Sequence, residues 1–483
     1  MISLYPDQTD LYDRIRASLV AGHRAPLAVA PCGFGKTVLF CELTRRTNLK
    51  GNRVLILSHR EELVQQISDT LTADEVPHSF IAAGRAYNPN SMAWVASVMT
   101  LNKRIAKGVK LTPPKLIIID EGHHATATTW GKALSVWNVV RLGVTATPQR
   151  LDGAPLGDVY DSLVVGPTAG QLIGMARLSP YLIIAPDPPK EVTDLKADKS
   201  GDYSRRSANK AMNKPTITGD AVTQYSKWAA GKRAVAFCVS IDHALAVAQK
   251  FASAGYRTAC IDGTMERSKR KEVVDMFRQG FIDVLTSCDL ISEGFDLPAI
   301  ECAIMLRPTG SLGLWIQQFG RSLRVYPGKD KAIILDHVGG TEKHQWVPEV
   351  EMEWSLEGKA KRKEGESGPS VRRCPNPNCF RAQFTSAPNC QFCGTPFAVG
   401  VMGAREVKTV AGELTPMTPE QIAAIARTKR VEQGRAESLE DLVELGRKRK
   451  MKDPVGWARH VFAARVAKRE KERAERELVG DLV

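Results

Sequence analysis

Long hydrophobic runs are what this 483-residue chain lacks first, since no apolar stretch approaches the roughly 18 residues that cross a bilayer. The opening "MISLYPDQTD" also lacks the charged-then-apolar pattern of a secretory leader. Together these absences point to a cytoplasmic protein, bacterial or of a phage-infected host, with no membrane partner. No nuclease or methyltransferase constellation is visible, which weighs against a restriction enzyme. Aromatics are few at 6%, yet 43% hydrophobic content over this length fills the cores of about three domains. Acidic charge runs short at one end: residues 359–483 hold 25 Lys and Arg against 16 Asp and Glu, +9 of the net +14. A polyanion is the natural partner of such a tail.

What is there begins with "LAVAPCGFGKTVLF", Leu27 to Phe40, an apolar run that breaks into a glycine-rich turn and resumes as a helical pattern. A turn with little side-chain bulk lets backbone N–H groups converge on an anion at the positive end of the following helix. Gly33 and Gly35 would form the cradle, Lys36 would reach the outer phosphates, and Thr37 would hold magnesium. The first glycine of G-x-x-x-x-G-K-[ST] is replaced by Ala30, so an ordinary glycine turn with a solvated lysine is the competing reading of the fragment alone.

The ten cysteines divide in two: six scattered through apolar surroundings, read as reduced core thiols, and four, Cys374, Cys379, Cys390 and Cys393, crowded into twenty residues. The C-x4-C-x10-C-x2-C spacing, with Pro, Asn and Gly around it, suits two knuckles offering four thiolates to zinc. A pair of disulfides is the alternative, disfavoured by a cytosolic location.

Strands alternate with helices twice. "LAVA", "RVLILS", "AWVASV", "KLIIID" and "VVRLGVTAT" form one block, and "AVAFCV", "RTACID", "DVLTS", "CAIMLR" and "KAIILD" a second, the signature of two doubly wound, mostly parallel sheets. A Pro-rich and then charged stretch between them reads as a linker with some helix. At the carboxyl edge of "LIIID" stand Asp120 and Glu121, followed by His123. Facing a phosphate loop, Asp120 would orient magnesium and Glu121 would polarise an attacking water; as a bare pair they would cap a helix. His124 reads as a local packing or hydrogen-bonding residue.

Taken in order, "APCGFGKT", "SHREELVQQ", "VASVMTL", "DEGH", "TATP", "SEGFD" and "QQFGRSLR" resemble motifs I, Ia, Ib, II, III, V and VI of superfamily 2 helicases of the DExH kind, over residues 4 to about 338. The stretch from "CAIMLRPTGSLGLW" to "LDHVGG", followed by a cysteine cluster, is similar to RadD-type bacterial proteins and their phage relatives. The resemblance implies α/β architecture: two tandem RecA-like lobes over residues 1–170 and 215–345, joined by a linker at 171–214. A charged linker at 346–370, a zinc ribbon at 371–398 and a basic helical domain at 415–483 would follow.

Carried over residue by residue, it implies an ATP site built from Gln8, Gly33, Gly35, Lys36, Thr37 and Asp120, with Glu121 and His123 on the hydrolytic edge. Thr145 and Thr147 would couple nucleotide state to lobe movement. The second lobe would add Gly294 and Asp296, and Gln317, Arg321 and Arg324 match Q-x-x-G-R-x-x-R, two arginines three apart on one helix face. Aimed across a cleft they would act as arginine fingers; otherwise they form a surface ion-pair stripe. Ser58, His59, Arg60, Ser97, Thr100, Ser240 and Thr286 would grip nucleic-acid phosphates, unless each is an ordinary cap or turn residue. Relatives begin "LRPYQ", where this chain reads "LYPDQ". Tyr5 thus replaces the arginine, either stacking on adenine or serving as a core aromatic.

The C-terminal segment carries three helix starts, at Thr418, Ser438 and Asp453, with basic residues that hold phosphates or form a solvated face. The expectation is an ATP-dependent DNA helicase or translocase using ATP, Mg2+ and structural Zn2+, in repair, recombination or phage replication. A remodeller of DNA-bound protein, an RNA helicase and a non-enzymatic DNA-binding scaffold are the alternatives. DNA is favoured over RNA, with a single-strand-binding or replication protein as partner of the tail. Because every ATP motif precedes Val350, a chain stopped there is expected to keep its ATPase.

Overall fold

Short runs of β-branched and aliphatic residues bounded by Gly, Asp and Ser make strands buried on both faces, and such strands need helices above and below. The computed structural model describes residues 3–126, 128–150, 153–198, 201–212, 215–288, 290–291, 297–358, 361–362 and 370–397, then 436, 438–448, 453–456, 458–459 and 461–462. Residues 1–400 form one unit and 401–483 a second.

The first lobe contains β1 (Pro26–Val29), β2 (Val54–Ser58), β3 (Ser79–Ile81), β4 (Ala93–Ser97), β5 (Leu116–Asp120), β6 (Val140–Thr145) and β7 (Ser162–Val165). They form a sheet in the order β3-β4-β2-β5-β6-β1-β7, parallel throughout. The second lobe contains β8 (Tyr181–Ile184), β9 (Ala234–Cys238), β10 (Thr258–Ile261), β11 (Val284–Cys288), β12 (Cys302–Met305) and β13 (Ala332–Asp336). A small antiparallel pair, β14 (Met352–Glu353) and β15 (Lys361–Arg362), precedes the cysteine hairpin of β16 (Ser370–Arg373) and β17 (Arg381–Thr385). The second sheet runs β10-β11-β9-β12-β13-β8-β17-β16. In both lobes the strand order reverses beside the first strand of the alternation, which is where α/β sheets open a ligand crevice at their carboxyl ends.

Two boundaries differ from the sequence reading. The 171–214 segment is more than a linker: it supplies β8, which pairs in parallel with β13 from Tyr181↔Ala332 to Ile184↔Leu335. Its "YLII" run is too short to stand out beside the Pro-rich stretch that follows. The cysteine ribbon is equally no separate bead, because β17 pairs antiparallel with β8 through Arg381↔Ile184 and Ala382↔Ile183. The Ala185 amide adds a bond to the Phe380 carbonyl at 2.9 Å. A chain stopped at Val350 would therefore strip two strands from the sheet and uncover the backbone edge of β8.

In the second unit Ser438 and Asp441 form a reciprocal cap on the helix Leu439–Lys448, with N–H to side-chain bonds of 2.9 and 3.0 Å. The Asp453 carboxylate accepts from the Gly456 amide at 2.9 Å, the third helix start. The first start, at Thr418, lies outside the described residues, as do Arg465, Lys468 and Arg469, three of the basic residues expected on the last helix of the tail.

Candidate functional site

The phosphate loop leaves β1 and ends on the helix Lys36–Leu49, whose N-cap is Gly35 at φ +93°, with Gly33 at φ +83°. Both angles lie in the left-handed region, and a Cβ on Gly33 would stand 2.6 Å from Leu178 Cδ2, so glycine is required for conformation and for space. Gln8 is buried beneath the loop, donating to the Phe34 carbonyl at 2.8 Å and accepting from the Tyr5 amide at 3.0 Å. Its position sets the loop from below.

Next to the loop, β5 delivers Asp120 and Glu121. Burial, then the charge of Glu121, pushes the Asp120 carboxyl well above the ordinary range, with Lys36 and Arg321 pulling it back. Lys36 Nζ lies 3.7 Å from Glu121 Oε1. On the other side Thr145 Oγ1 is 3.4 Å from Glu121 Oε2 and 2.8 Å from His123 Nδ1, and it also accepts from the Thr147 amide at 3.2 Å. Glu121 itself sits at φ +49°, a left-handed conformation that costs a β-unbranched side chain about 1–3 kcal/mol. Two crowded, buried carboxylates beside a backbone cradle open only to glycine fit oxygen coordination of Mg2+ by Asp120 and Thr37 beneath a triphosphate.

The second lobe closes this site. The helix Leu312–Ser322 lies against the loop so tightly that a Cβ on Gly320 would meet the Cys32 Cβ at 2.6 Å, and one on Gly313 would meet Thr147 Oγ1 at 3.0 Å. Gln317 and Arg321 are buried on that helix, and burial lowers the pKa of the Arg324 guanidinium just beyond it. Gly33, Gly35, Lys36, Thr37, Asp120, Glu121, Arg321 and Arg324 line one cavity of about 330 Å³, with Arg177 beside them.

Arg177 is the residue that sequence reasoning missed. Its guanidinium lies over the Tyr5 ring, 3.5 Å from the centroid, pairs with Asp7 and donates to the Phe34 carbonyl at 3.1 Å. The arginine absent from "LYPDQ" is thus supplied from 172 positions away. Tyr5, at 55% exposure, is not a core aromatic. Leu178 then bridges to Arg324, and the Ser179 amide donates to the Leu323 carbonyl at 2.7 Å. Lys329, whose pKa burial lowers to about 8, donates to the Ile300 carbonyl at 2.8 Å and the Arg324 carbonyl at 2.7 Å. Only Asp7, two positions beyond Tyr5, hinted in the sequence that a cation such as Arg177 was wanted beside it.

The proposed nucleic-acid contacts fare unevenly. Thr286 is fully buried within β11, its hydroxyl 3.5 Å from the Ala259 carbonyl, and Ser58 is fully buried at the end of β2. Ser240 caps the helix Ile241–Ser253 through the His243 amide and donates to Asn209 Oδ1 at 2.7 Å. The hydroxyls of Thr286 and Ser240 are turned to structural partners, as strand-end Ser and Thr residues commonly are, whereas the buried Ser58 hydroxyl meets no hydrogen-bond partner among the described residues. Ser97 is also buried, at the N-cap of the helix Val98–Ala106, whereas His59, Arg60 and Thr100 are only half-buried. Gly294 and Asp296 lie outside the described residues.

The four cysteine sulfurs lie within 4.8 Å of one another, with Cys374 to Cys393 at 3.5 Å and Cys379 to Cys390 at 3.9 Å. Disulfide sulfurs would be about 2.05 Å apart. A tetrahedron of sulfurs around zinc has edges of about 3.8 Å.

Comparison with known proteins places this geometry. Residues 1–150 match the family described as "Type III restriction enzyme, res subunit", and residues 218–326 match "Helicase conserved C-terminal domain". A 51.5 kDa protein of a Lactococcus phage (isolate 7-9) is 35% identical over 373 residues, 77% of this chain and 78% of that protein. The chain is a superfamily 2 helicase. A Saccharomyces cerevisiae protein named "Putative ATP-dependent helicase IRC3" is 28% identical over 354 residues, and this helicase spans 51% of its length. Among solved structures, the ATP-dependent Type ISP restriction-modification enzyme LlaBIII bound to DNA superposes with a TM-score of 0.51 at 16% identity. That likeness covers 69% of the helicase and 27% of the larger enzyme, and it concerns the fold. Helicases of this superfamily hydrolyse ATP and act on nucleic acid, and two parallel α/β lobes are their engine. Among the described residues no helix is long and apolar enough to cross a membrane.

Proposed function

We propose that this helicase is a DNA motor whose ATP lies in the cavity between the lobes, in the cytosol of a bacterium or of a phage-infected host. The observation that carries the reading is that Lys36, Asp120 and Glu121 of one lobe and Arg321 and Arg324 of the other line the same cavity. Charge develops on the transferred phosphoryl group where neither lobe alone can surround it. In this reading Gly33, Gly35 and Lys36 bind the phosphates, and Thr37 and Asp120 hold the Mg2+ that offsets phosphate charge. Glu121, steadied by His123 and Thr145, takes a proton from the attacking water. Arg321 and Arg324 stabilise the equatorial oxygens. Thr147 feels the helix Leu312–Ser322 through Gly313 and is hydrogen-bonded to Thr145, so that hydrolysis and lobe separation are linked.

The restriction-type family match and the phage relative support DNA over RNA. We assign structural zinc to Cys374, Cys379, Cys390 and Cys393. Hydrogen bonding to Thr395 holds the Cys393 thiol at about 6, ready to ligate as thiolate. The basic tail would add phosphate contacts and a docking point for a single-strand-binding or replication protein.

Two variants test the division of roles. Lys36→Ala should abolish ATP binding and turnover, whereas Glu121→Gln should keep nucleotide binding and lose hydrolysis, read by a fluorescent ATP analogue and by phosphate release. Equal loss of binding in both would refute the assignment. Matched 3′-tailed, 5′-tailed and forked DNA and RNA duplexes then separate strand displacement from translocation alone. Stimulation by RNA but not DNA would overturn the choice of substrate.

A further inference from the structure

The turn after β5 holds two histidines, and the second has no part in the chemistry above. Strands β2 and β5 are parallel neighbours, paired from Val54↔Leu116 to Leu57↔Ile119. Their carboxyl-end loops therefore lie side by side, bringing His59 to His124. The ring centroids of these two are 4.6 Å apart, tilted by 57°, and those of His124 and His123 are 4.1 Å apart, tilted by 40°. Three imidazoles thus form an unbroken column. At one end, Arg60 Nε donates to His59 Nε2 at 3.2 Å. At the other end, His123 Nδ1 lies 2.8 Å from Thr145 Oγ1 and 3.5 Å from Glu121 Oε2.

His124 is fastened to Glu121 a second time. Its backbone N–H donates to the Glu121 carbonyl at 3.0 Å, within the tight turn that holds Glu121 at φ +49° and ψ +56°. A non-glycine residue in that conformation persists only where its surroundings over-determine it, and it has an ordinary right-handed alternative. Displacing the His124 ring thus acts on the carboxylate through His123 and on its backbone through the turn. The column is no metal centre: among the described residues, the ligand atoms that converge as a group are the four cysteine sulfurs.

We propose that His124 is a positioning residue that transmits nucleic-acid engagement at His59 and Arg60 to Glu121. Rings in contact resist compression, so a phosphate that seats Arg60 and presses His59 toward His124 shifts that ring and moves the carboxylate relative to the attacking water. A shift of about 1 Å is enough to change a rate a hundredfold. The inference rests on the reading that Glu121 activates water and that nucleic acid binds along the loop after β2.

The test uses the full chain, with ATP turnover measured without and with saturating single-stranded DNA, and DNA affinity measured by fluorescence anisotropy. His124→Ala opens a gap in the column; His124→Phe keeps a ring of similar thickness without the nitrogens. In His124→Ala, basal turnover and DNA affinity should stay within about twofold of the parent while stimulation falls about tenfold or more, inside the usual span of coupling between sites. His124→Phe should retain most of the stimulation. A His59→Ala, His124→Ala pair should be no worse than the poorer single change, because both break one column.

Full stimulation in His124→Ala would overturn the inference, as would equal failure of the Phe and Ala variants. Loss of DNA affinity matching the loss of stimulation would make His124 a contact instead. A parallel fall in basal turnover would make it a fold residue. Absence of stimulation in the parent chain would instead overturn the motor reading, and the two failures are told apart by that control.

Discussion

Replacing Gly320 by alanine should stall hydrolysis without weakening the fold. In a helix interior this exchange ordinarily stabilises by about 1 kcal/mol. Here the added Cβ would stand 2.6 Å from the Cβ and 3.4 Å from the Sγ of Cys32 in the phosphate loop. Carbon contacts settle at about 3.5–4.0 Å, so helix and loop must part by roughly 1 Å. Neither atom can rotate away, because each Cβ is fixed by its backbone. Arg321 is the next residue on one side and Lys36 lies four beyond Cys32 on the other, so the parting widens the gap that the transferred phosphoryl group must bridge. A misplacement of that size costs about a hundredfold in rate. The helix gain offsets part of an overpacking cost of about 1–3 kcal/mol, and the melting temperature should move little. DNA-stimulated ATP turnover and thermal unfolding are measured together. Cys32→Gly removes the opposing Cβ; alone it should be nearly silent, and combined with Gly320→Ala it should restore most of the turnover. Parental turnover in Gly320→Ala, or a double variant no faster than the single, would show that the contact does not govern the chemistry.

Exchanging Cys390 and Cys393 for serine should release about one equivalent of zinc, measured by metal analysis, since a four-thiolate site does not hold on two ligands. Because β17 is paired to β8, the same variant should also lower the thermal midpoint of the ATPase body, a coupling that a freely tethered ribbon would not show. Stopping the chain after Val350 should give aggregation or a large loss of ATPase, read by size-exclusion chromatography and phosphate release, and full activity would refute the continuity of the second sheet. Burial holds His243 and His344 at about 4, below their ordinary 6.5, so the stability they lend is complete above about pH 6.5 and is lost as pH falls toward 4. Denaturant unfolding between pH 7 and 5 should show the decline, and His344→Gln should flatten it.

Much of the engine was legible in the chain because its chemistry is local. Consecutive peptide N–H groups in "GFGKT" converge on a phosphate wherever a strand precedes and a helix follows, and the carboxylates of "LIIIDE" emerge at a strand end by register alone. Alternating buried strands dictate two covered sheets, and four thiols at knuckle spacing dictate a compact sulfur cluster. Which hydroxyls face a ligand was not legible, since Ser240 and Thr286 differ from open contacts only in what packs over them. Arg177 reaches Tyr5 and Asp7, and β17 completes the sheet beside β8, across long separations that leave no periodic trace in the sequence. The tight seat of Gly320 on Cys32 and the column from His59 to His123 depend on how two lobes and two loops approach each other. Short-range stereochemistry is written residue by residue along the chain, whereas the partners of a side chain are chosen by the packing of elements that the chain brings together only when it folds.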